Sequence, residues 1–281
     1  MDRIGIIGLG RMGAAMALRY AGQSVPVTGW TRSARAVDGV PYAPDLAGLV
    51  AASDVLILSL FDDAAVAETL DRLVGHDLAG KLVIDTSTVA PSVMKSRAGR
   101  FAALGAALAD APISGGPELV AAGACGIFIG TDTDTVARAQ QALTPLSNRI
   151  FHVGELGTGL AMKTVNNALL QTYFAGLAEQ MRVAKRAGLD LQTALTILCG
   201  GPAGVPMVRD RVPKILGQDP TVGFTVAGIA KDNAVFQRVA SELGVDTPTL
   251  RAAQAMIADG MATGLADADP AALIAQAYHD A

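Results

Sequence analysis

The feature that most restricts what this chain can fold into is a glycine loop near its start. Gly8-Leu9-Gly10-Arg11-Met12-Gly13 follows directly on the apolar run Arg3–Ile7 and opens an alanine-rich stretch, Met12–Tyr20. The GxGxxG spacing between a strand and a helix gives each glycine a separate task. The first permits a tight turn, the second lets backbone approach a pyrophosphate, and the third lets helix and strand pack closely. Phosphates then rest on N–H groups left open at the helix N-terminus. By itself the spacing also fits an ordinary turn, but the strand before it and the helix after it favour dinucleotide binding. Gly8, Gly10, Arg11, Met12 and Gly13 are the candidate cofactor contacts.

The rest of the first half keeps the same rhythm. Short β-branched runs predict strands at Arg3–Ile7, Val25–Trp30, Asp54–Leu60, Lys81–Asp85, Ala106–Ala109, Gly126–Ile129 and Arg149–Val153, with amphipathic windows such as Ala64–Val74 and Pro91–Leu104 between them. Strands alternating with helices predict a mainly parallel sheet covered on both faces, with ligands at the carboxyl ends of the strands.

After Gly157-Thr158-Gly159 the pattern changes. Leu160–Ala187 contains no proline, and Val165, Leu169, Tyr173, Leu177, Met181 and Ala184 recur at helical spacing. A helix of that length runs roughly 40 Å, longer than one small domain needs. Gly188 then supplies a stop and Asp190 a new cap, while Thr247-Pro248 and Asp269-Pro270 mark later helix starts. The expected fold is an α/β Rossmann-type domain, doubly wound, over residues 1–160. An all-helical domain over 161–281 follows, joined to it by the long helix, with cofactor and substrate in the cleft between.

Composition removes several function classes. Of 281 residues, 51% are hydrophobic but only 4% aromatic, and the net charge is −4 with no basic run, which argues against a nucleic-acid partner. The opening apolar stretch is broken by Gly8, Gly10 and Arg11, so no signal peptide or membrane span is expected. Cys125 and Cys199 lie far apart and read as core thiols in a reducing, cytoplasmic setting. No metal site is expected, because His76, His152 and His279 lack ligand spacing. His152 falls in a short apolar strand and reads as a structural histidine.

The second predicted strand ends in Trp30-Thr31-Arg32-Ser33, where an NAD-binding fold normally offers an acidic residue to the ribose hydroxyls. Arg32 in that place suits a 2′-phosphate, with Thr31 and Ser33 donating hydroxyls. One charge-assisted contact of about 1.5–3 kcal/mol favours NADP by roughly tenfold to a hundredfold, with NAD still possible. A solvated surface arginine is the plainer alternative.

Four further segments complete a pattern: Asp85-Thr86-Ser87-Thr88, Asp110-Ala111-Pro112-Ile113-Ser114-Gly115-Gly116, Gly157 through Lys163 to Asn167, and Phe224 with Lys231-Asp232. With the glycine loop, these resemble the signatures of the β-hydroxyacid dehydrogenase family, which includes 3-hydroxyisobutyrate, tartronate-semialdehyde and glyoxylate or succinate-semialdehyde enzymes. The resemblance implies NADP-dependent hydride transfer between NADPH and a small aldehyde acid, or the reverse oxidation of a 3-hydroxy acid.

Residue roles follow from it. Ser114, Gly115 and Gly116 hold the substrate carboxylate in an anion-binding nest. Lys163 is the general acid/base and Asn167, one turn on, positions its ammonium group. In the oxidative direction a neutral lysine is needed, which calls for burial or a neighbouring charge. Thr88 contacts the nicotinamide ribose or the substrate, and Phe61 with Asp62 lies near the cofactor. Phe224 is an apolar wall, Lys231 a cofactor or anion contact, and Asp232 a cleft residue ordering the charges. The resemblance also implies a homodimer or homotetramer.

The chain departs from the family at Pro117-Glu118, at Gly200–Pro206 and at Gly228, which replaces a leucine and is expected to enlarge the pocket. Two rivals stay open. An imine reductase shares the Trp-x-Arg segment but generally lacks the lysine; a non-catalytic NADP sensor would bind dinucleotide without turnover.

Overall fold

A computed structural model describes residues 1–33 and 36–281, and they divide into two units, Met1–Val165 and Asn166–Ala281. The division falls inside the long helix, after Val165, rather than at its start. In the first unit the elements alternate as the sequence pattern requires. They are β1 (Ile4–Ile7), α1 (Arg11–Gly22), β2 (Val27–Trp30), α2 (Leu46–Ala52), β3 (Val55–Leu58), α3 (Asp63–Leu73), β4 (Leu82–Asp85), α4 (Pro91–Lys95) and α5 (Ala98–Ala103). There follow β5 (Ala107–Asp110), β6 (Ile113–Ser114), α6 (Pro117–Ala122), β7 (Gly126–Gly130), α7 (Val136–Leu143) and β8 (Arg149–Gly154).

The strands form one sheet in the order β2-β1-β3-β4-β5-β7-β6, with β8 beside β7. The first five are parallel, β7 runs antiparallel to β5 and β6, and β8 is parallel to β7. From β1 the chain goes to β2 on one side and later to β3 on the other, so the carboxyl ends of β1 and β3 frame a topological switch point. Alternate residues supply the two faces. Ile4, Ile6, Val55, Ile57, Leu82 and Ile84 enter one core, while Ile7, Leu56, Leu58 and Val83 enter the other. That is why these strands read as continuous apolar runs and not as alternations.

Local chemistry adjusts the expected boundaries. Val25 and Pro26 stay outside β2, and β6 is a two-residue strand too short to show a period. The expected helix Pro91–Leu104 is two helices, because Ser96 Oγ donates to the Val93 carbonyl (3.3 Å) and Arg97 turns to the Asp71 carboxylate (2.8 Å). Side-chain hydrogen bonds of this kind compete with the helical ladder.

Helix α8 (Thr158–Arg186) is 29 residues long and ends before Gly188, which takes φ +76°. The second unit continues with α9 (Leu191–Gly200), α10 (Pro206–Arg209), α11 (Val212–Ile215), α12 (Val226–Glu242), α13 (Pro248–Ala262) and α14 (Ala271–His279). Asp190 caps α9 through the Thr193 N–H at 2.9 Å. Thr247 makes no side-chain cap on α13, and α14 starts after Pro270, with Asp269 accepting from the Ala271 N–H. The core of this unit gathers Phe174, Leu177, Met181, Leu195, Val208 and Ile274. Both thiols are free; Cys125 is buried in a core of the first unit, and Cys199 is partly buried and packs against the core of this one. Among the described residues no helix is long and apolar enough to cross a membrane.

Candidate active site

The glycine loop carries its division of labour in its geometry. Gly8 takes φ +98°, and a Cβ there would meet the Ser59 carbonyl oxygen at 2.3 Å. At Gly13 a Cβ would lie 1.8 Å from the Gly8 carbonyl oxygen, so only glycine lets α1 start this close to β1. Gly10, the residue capping α1, has nothing within 4 Å of its Cβ position. The loop is therefore crowded on the protein side and open over the helix N-terminus, which fits a pyrophosphate. Arg11 is exposed and Met12 half-buried beside the opening.

At the end of β2, Arg32 is exposed and its guanidinium pairs with Glu68 of α3 at 3.3 Å. Glu68 was not singled out by the sequence, since it lies far along the chain in an ordinary amphipathic helix. One turn on, Arg72 stacks over the Trp30 ring at 5.5 Å from its centre. Thr31 gives its carbonyl to the Tyr42 hydroxyl (2.9 Å), while Ser33 is exposed. The segment Trp30-Thr31-Arg32-Ser33 contains no carboxylate, yet the fold brings one to Arg32.

At the ends of β3 and β4 several polar groups serve the turns. Thr86 Oγ1 donates to the Leu58 carbonyl and Ser87 Oγ accepts from the Leu60 N–H, which fixes both turns. Thr88 is half-buried. Phe61 is exposed, and Asp62 caps α3 by accepting from the Ala65 N–H. His152 bonds the Thr131 carbonyl at 3.0 Å, as a structural histidine does.

Around β5 and β6 the chemistry concentrates. Lys163 is buried, and its ammonium donates to the Ile113 carbonyl at 2.6 Å, immediately before Ser114. The fold thus joins the lysine to the Ser114-Gly115-Gly116 loop. Gly115 takes φ +131°, and a Cβ there would strike Leu119 at 2.9 Å. Beside Gly116, a Cβ would meet Glu118 Oε1 at 2.2 Å, so an acidic side chain lies against the loop read as a carboxylate nest. Asp110, at the end of β5, is fully buried and accepts the N–H groups of Gly157 and Leu160. Burial pushes its carboxyl up to about 7, with the two N–H groups opposing and Asp85 on the neighbouring strand adding to the rise.

In the second unit, Asn167 Oδ1 accepts from Asn166 Nδ2 at 2.8 Å. Lys231 and the buried Asp232 pair at 2.6 Å on α12, a more enclosed contact than a surface ion pair. Phe224 is 39% exposed, and its ring lies over Gly228, whose Cβ would meet it at 3.1 Å. The space expected from the missing leucine is thus filled by phenylalanine. Sequence reasoning also missed an amide chain. Gln171 donates to the Ile229 carbonyl and accepts from Asn233, whose Oδ1 accepts from Gln237. Among the described residues no group of three or more His, Cys, Asp or Glu is placed to hold a metal.

Comparison with known proteins agrees with this geometry. Residues 3–154 match the NAD-binding domain of 6-phosphogluconate dehydrogenase, and residues 157–277 match the NAD-binding family domain of NADP-dependent 3-hydroxyisobutyrate dehydrogenase. The chain is 30% identical to 2-(hydroxymethyl)glutarate dehydrogenase of Eubacterium barkeri, over 97% of this chain and 93% of that one. It is 31% identical to the NAD-dependent L-serine dehydrogenase of Pseudomonas aeruginosa, over 88% of each. The structure of Mycobacterium tuberculosis 3-hydroxyisobutyrate dehydrogenase with L-serine is similar, at 28% identity, 98% coverage of both chains and a TM-score of 0.88. With a nicotinamide-binding domain, a lysine placed at a small-residue loop and relatives of this kind over nearly its full length, the chain belongs to the β-hydroxyacid dehydrogenase family of NAD(P)-dependent oxidoreductases.

Proposed function

We propose that this enzyme catalyses NADP-dependent interconversion of a small 3-hydroxy acid and its aldehyde acid, with Lys163 as general acid/base. The observation that carries the reading is the buried ammonium of Lys163, held 2.6 Å from the Ile113 carbonyl at the edge of the Ser114–Gly116 loop. A bound nicotinamide supplies or accepts the hydride, and the chain's own residues handle the proton and the anion. Reduction of a carbonyl leaves an alkoxide, which Lys163 stabilises by charge and then protonates; in oxidation its neutral amine takes the hydroxyl proton. Ser114 and the N–H groups of Gly115 and Gly116 receive the substrate carboxylate. Gly8, Gly10 and Gly13 admit the pyrophosphate, with Arg11 and Met12 beside it, and Arg32, Thr31 and Ser33 receive the 2′-phosphate. Asn167, Thr88, Phe61, Phe224, Lys231 and Asp232 complete the assignment on the strength of the family pattern.

The substrates named for the relatives share one core, HOCH2–CHR–COO⁻, in which R is methyl, ammonium or a carboxyethyl chain. We assign that core to this enzyme. Glu118 against Gly116 disfavours an anionic R, because two like charges near one loop repel. The test is a panel following cofactor absorbance, with NADP or NAD offered alongside 3-hydroxyisobutyrate, L-serine and 2-(hydroxymethyl)glutarate. The reverse direction uses NADPH with glyoxylate, methylmalonate semialdehyde, succinate semialdehyde and a cyclic imine. Turnover of a hydroxy or aldehyde acid is expected. Turnover of the imine alone overturns the role of Lys163, and tight NADPH binding without any turnover identifies a sensor.

A further inference from the structure

The motif beginning at Asp110 contributes Ser114, Gly115 and Gly116 to the reading above, but its first residue has no part in it. Asp110 is fully buried at the last position of β5, beside Asp85 at the last position of β4. A buried carboxylate is costly unless its oxygens are bonded. One oxygen of Asp110 accepts from the Gly157 N–H, and the other accepts from the Leu160 N–H at 2.7 Å. Both donors belong to the first turn of α8 or the residue before it, where four N–H groups lack helical partners. The surroundings are shaped to let that happen. A Cβ on Gly159 would meet Asp110 Oδ2 at 2.7 Å and the Phe128 carbonyl oxygen at 2.2 Å, and one on Gly130 would meet Asp110 Oδ1 at 2.5 Å.

These bonds close a ring with the catalytic contact. From Asp110 the chain runs to Ile113, whose carbonyl takes the Lys163 ammonium. From Leu160 the first turn of α8 runs to Lys163, and the Leu160 N–H returns to Asp110. The two sides of the ring span the same number of residues, one as a bend after β5 and the other as helix. Rotation of the start of α8 about its axis or sliding along it is therefore opposed at both Leu160 and Lys163, and each residue of slip would turn Lys163 by about 100° and move it by about 1.5 Å.

We infer that Asp110 is a positioning residue for the reaction: by gripping the start of α8 it fixes the lysine ammonium at the edge of the substrate loop. The inference rests on Lys163 being the acid/base. It predicts a kinetic signature that a plain helix cap would lack, because misplacement of the reacting group by about 1 Å costs on the order of a hundredfold in rate.

The experiment compares full-length wild type, Asp110→Asn, Lys163→Ala and the double variant, each corrected for folded fraction by circular dichroism. It uses whichever of 3-hydroxyisobutyrate or L-serine the enzyme turns over. Asparagine keeps the shape but sets an NH2 against one of the two N–H donors. The expected result for Asp110→Asn is a fall in kcat of about tenfold or more. KM and the dissociation constant for NADPH should stay within about twofold, and no further loss should appear on the Lys163→Ala background, because residues acting as one unit are non-additive. An unchanged kcat, or an additive double variant, overturns the role of Asp110. A Lys163→Ala enzyme with full kcat instead overturns the lysine reading itself, so the two failures are separable. If Asp110→Asn does not fold, Asp110→Ser brings no second N–H into the site and is read against the same expectations.

Discussion

Two charged groups in the first unit sit at strand ends and could hardly be more different in setting. At one, Asp110, Asp85 and Lys163 are all buried, and the carboxylate and the ammonium each bond to backbone at 2.6–2.7 Å. At the other, Arg32 and Glu68 pair at 3.3 Å with side chains 78% and 52% exposed. In the first setting water cannot replace a lost partner, so removal of one group leaves another unsatisfied at a cost of several kcal/mol. In the second, water and salt compete throughout, and an exposed pair is worth about 0–1 kcal/mol. The end read as reacting is thus built from few enclosed contacts, and the end read as selecting the cofactor from contacts for which water and salt compete. Substitutions should show effects in that order.

The largest effect is expected at Lys163. Lys163→Ala should lower kcat by roughly a hundredfold to ten-thousandfold, the usual range for a general acid/base, while NADPH affinity measured by fluorescence titration stays near wild type. Retained kcat would remove the chemistry from the buried end. Next comes the pH dependence of stability. The Asp110 carboxyl is pushed up to about 7 by burial, whereas an unfolded chain loses that proton at 3.8. Between those values the folded state holds a proton that the unfolded state has lost. The contribution is therefore full below pH 3.8, falls as pH rises, and is gone above about 7, a change of up to about 4 kcal/mol. Urea midpoints at pH 5 and pH 8 should differ less in Asp110→Asn than in wild type. An equal difference would show that Asp110 does not carry the slope.

The contrast between the two ends also explains how much was legible in the sequence. The glycine loop, the strand-helix alternation and the long helix are local patterns in which each residue's role depends on near neighbours, so spacing alone revealed them. Lys163 was singled out because a family pattern names it. Its partner, the Ile113 carbonyl, was not, because backbone oxygens carry no sequence signal. Asp110 stood in a recognised motif without a role, since its donors lie in a segment remote in sequence. Glu68 and the Gln171–Asn233–Gln237 chain escaped for the same reason: they are ordinary helix residues until the fold chooses their neighbours. Gly228 shows the opposite limit. A small residue was read as space, and the structure fills that space from Phe224.

At the exposed end the effects should be smaller and should depend on the cofactor. Arg32→Ala is expected to weaken NADPH by about tenfold to a hundredfold and NADH hardly at all, since one charge-assisted contact is lost only with the 2′-phosphate. Equal losses for both cofactors would separate Arg32 from the phosphate. On the Ser114–Gly116 loop, proposed to hold the substrate carboxylate, Glu118→Gln removes the acidic charge lying against Gly116. It should raise kcat/KM severalfold for 2-(hydroxymethyl)glutarate relative to 3-hydroxyisobutyrate, because only the former carries a second carboxylate to repel. An unchanged ratio would mean that R points away from Glu118.

The smallest effect tests the comparison most sharply. Glu68 holds the Arg32 guanidinium, so if Arg32 receives the 2′-phosphate as proposed, a bound phosphate must share it with, or displace, a carboxylate already there. Glu68→Gln should therefore improve NADPH binding, whereas NADH, with no phosphate to compete, should gain nothing. Since the pair is exposed, the gain should be only about twofold to fivefold at low ionic strength, and it should fade as salt screens the competition. Measured together over a salt series, NADPH affinity in wild type and in Glu68→Gln should converge. A loss of NADH affinity in the variant would give Glu68 another job, acceptance of the ribose hydroxyls that the second strand leaves without a carboxylate. The exposed end would then recognise both cofactors, with Arg32 serving one and Glu68 the other. A gain that persists at high salt would contradict the screening argument and place the pair in a more enclosed setting than its exposure indicates.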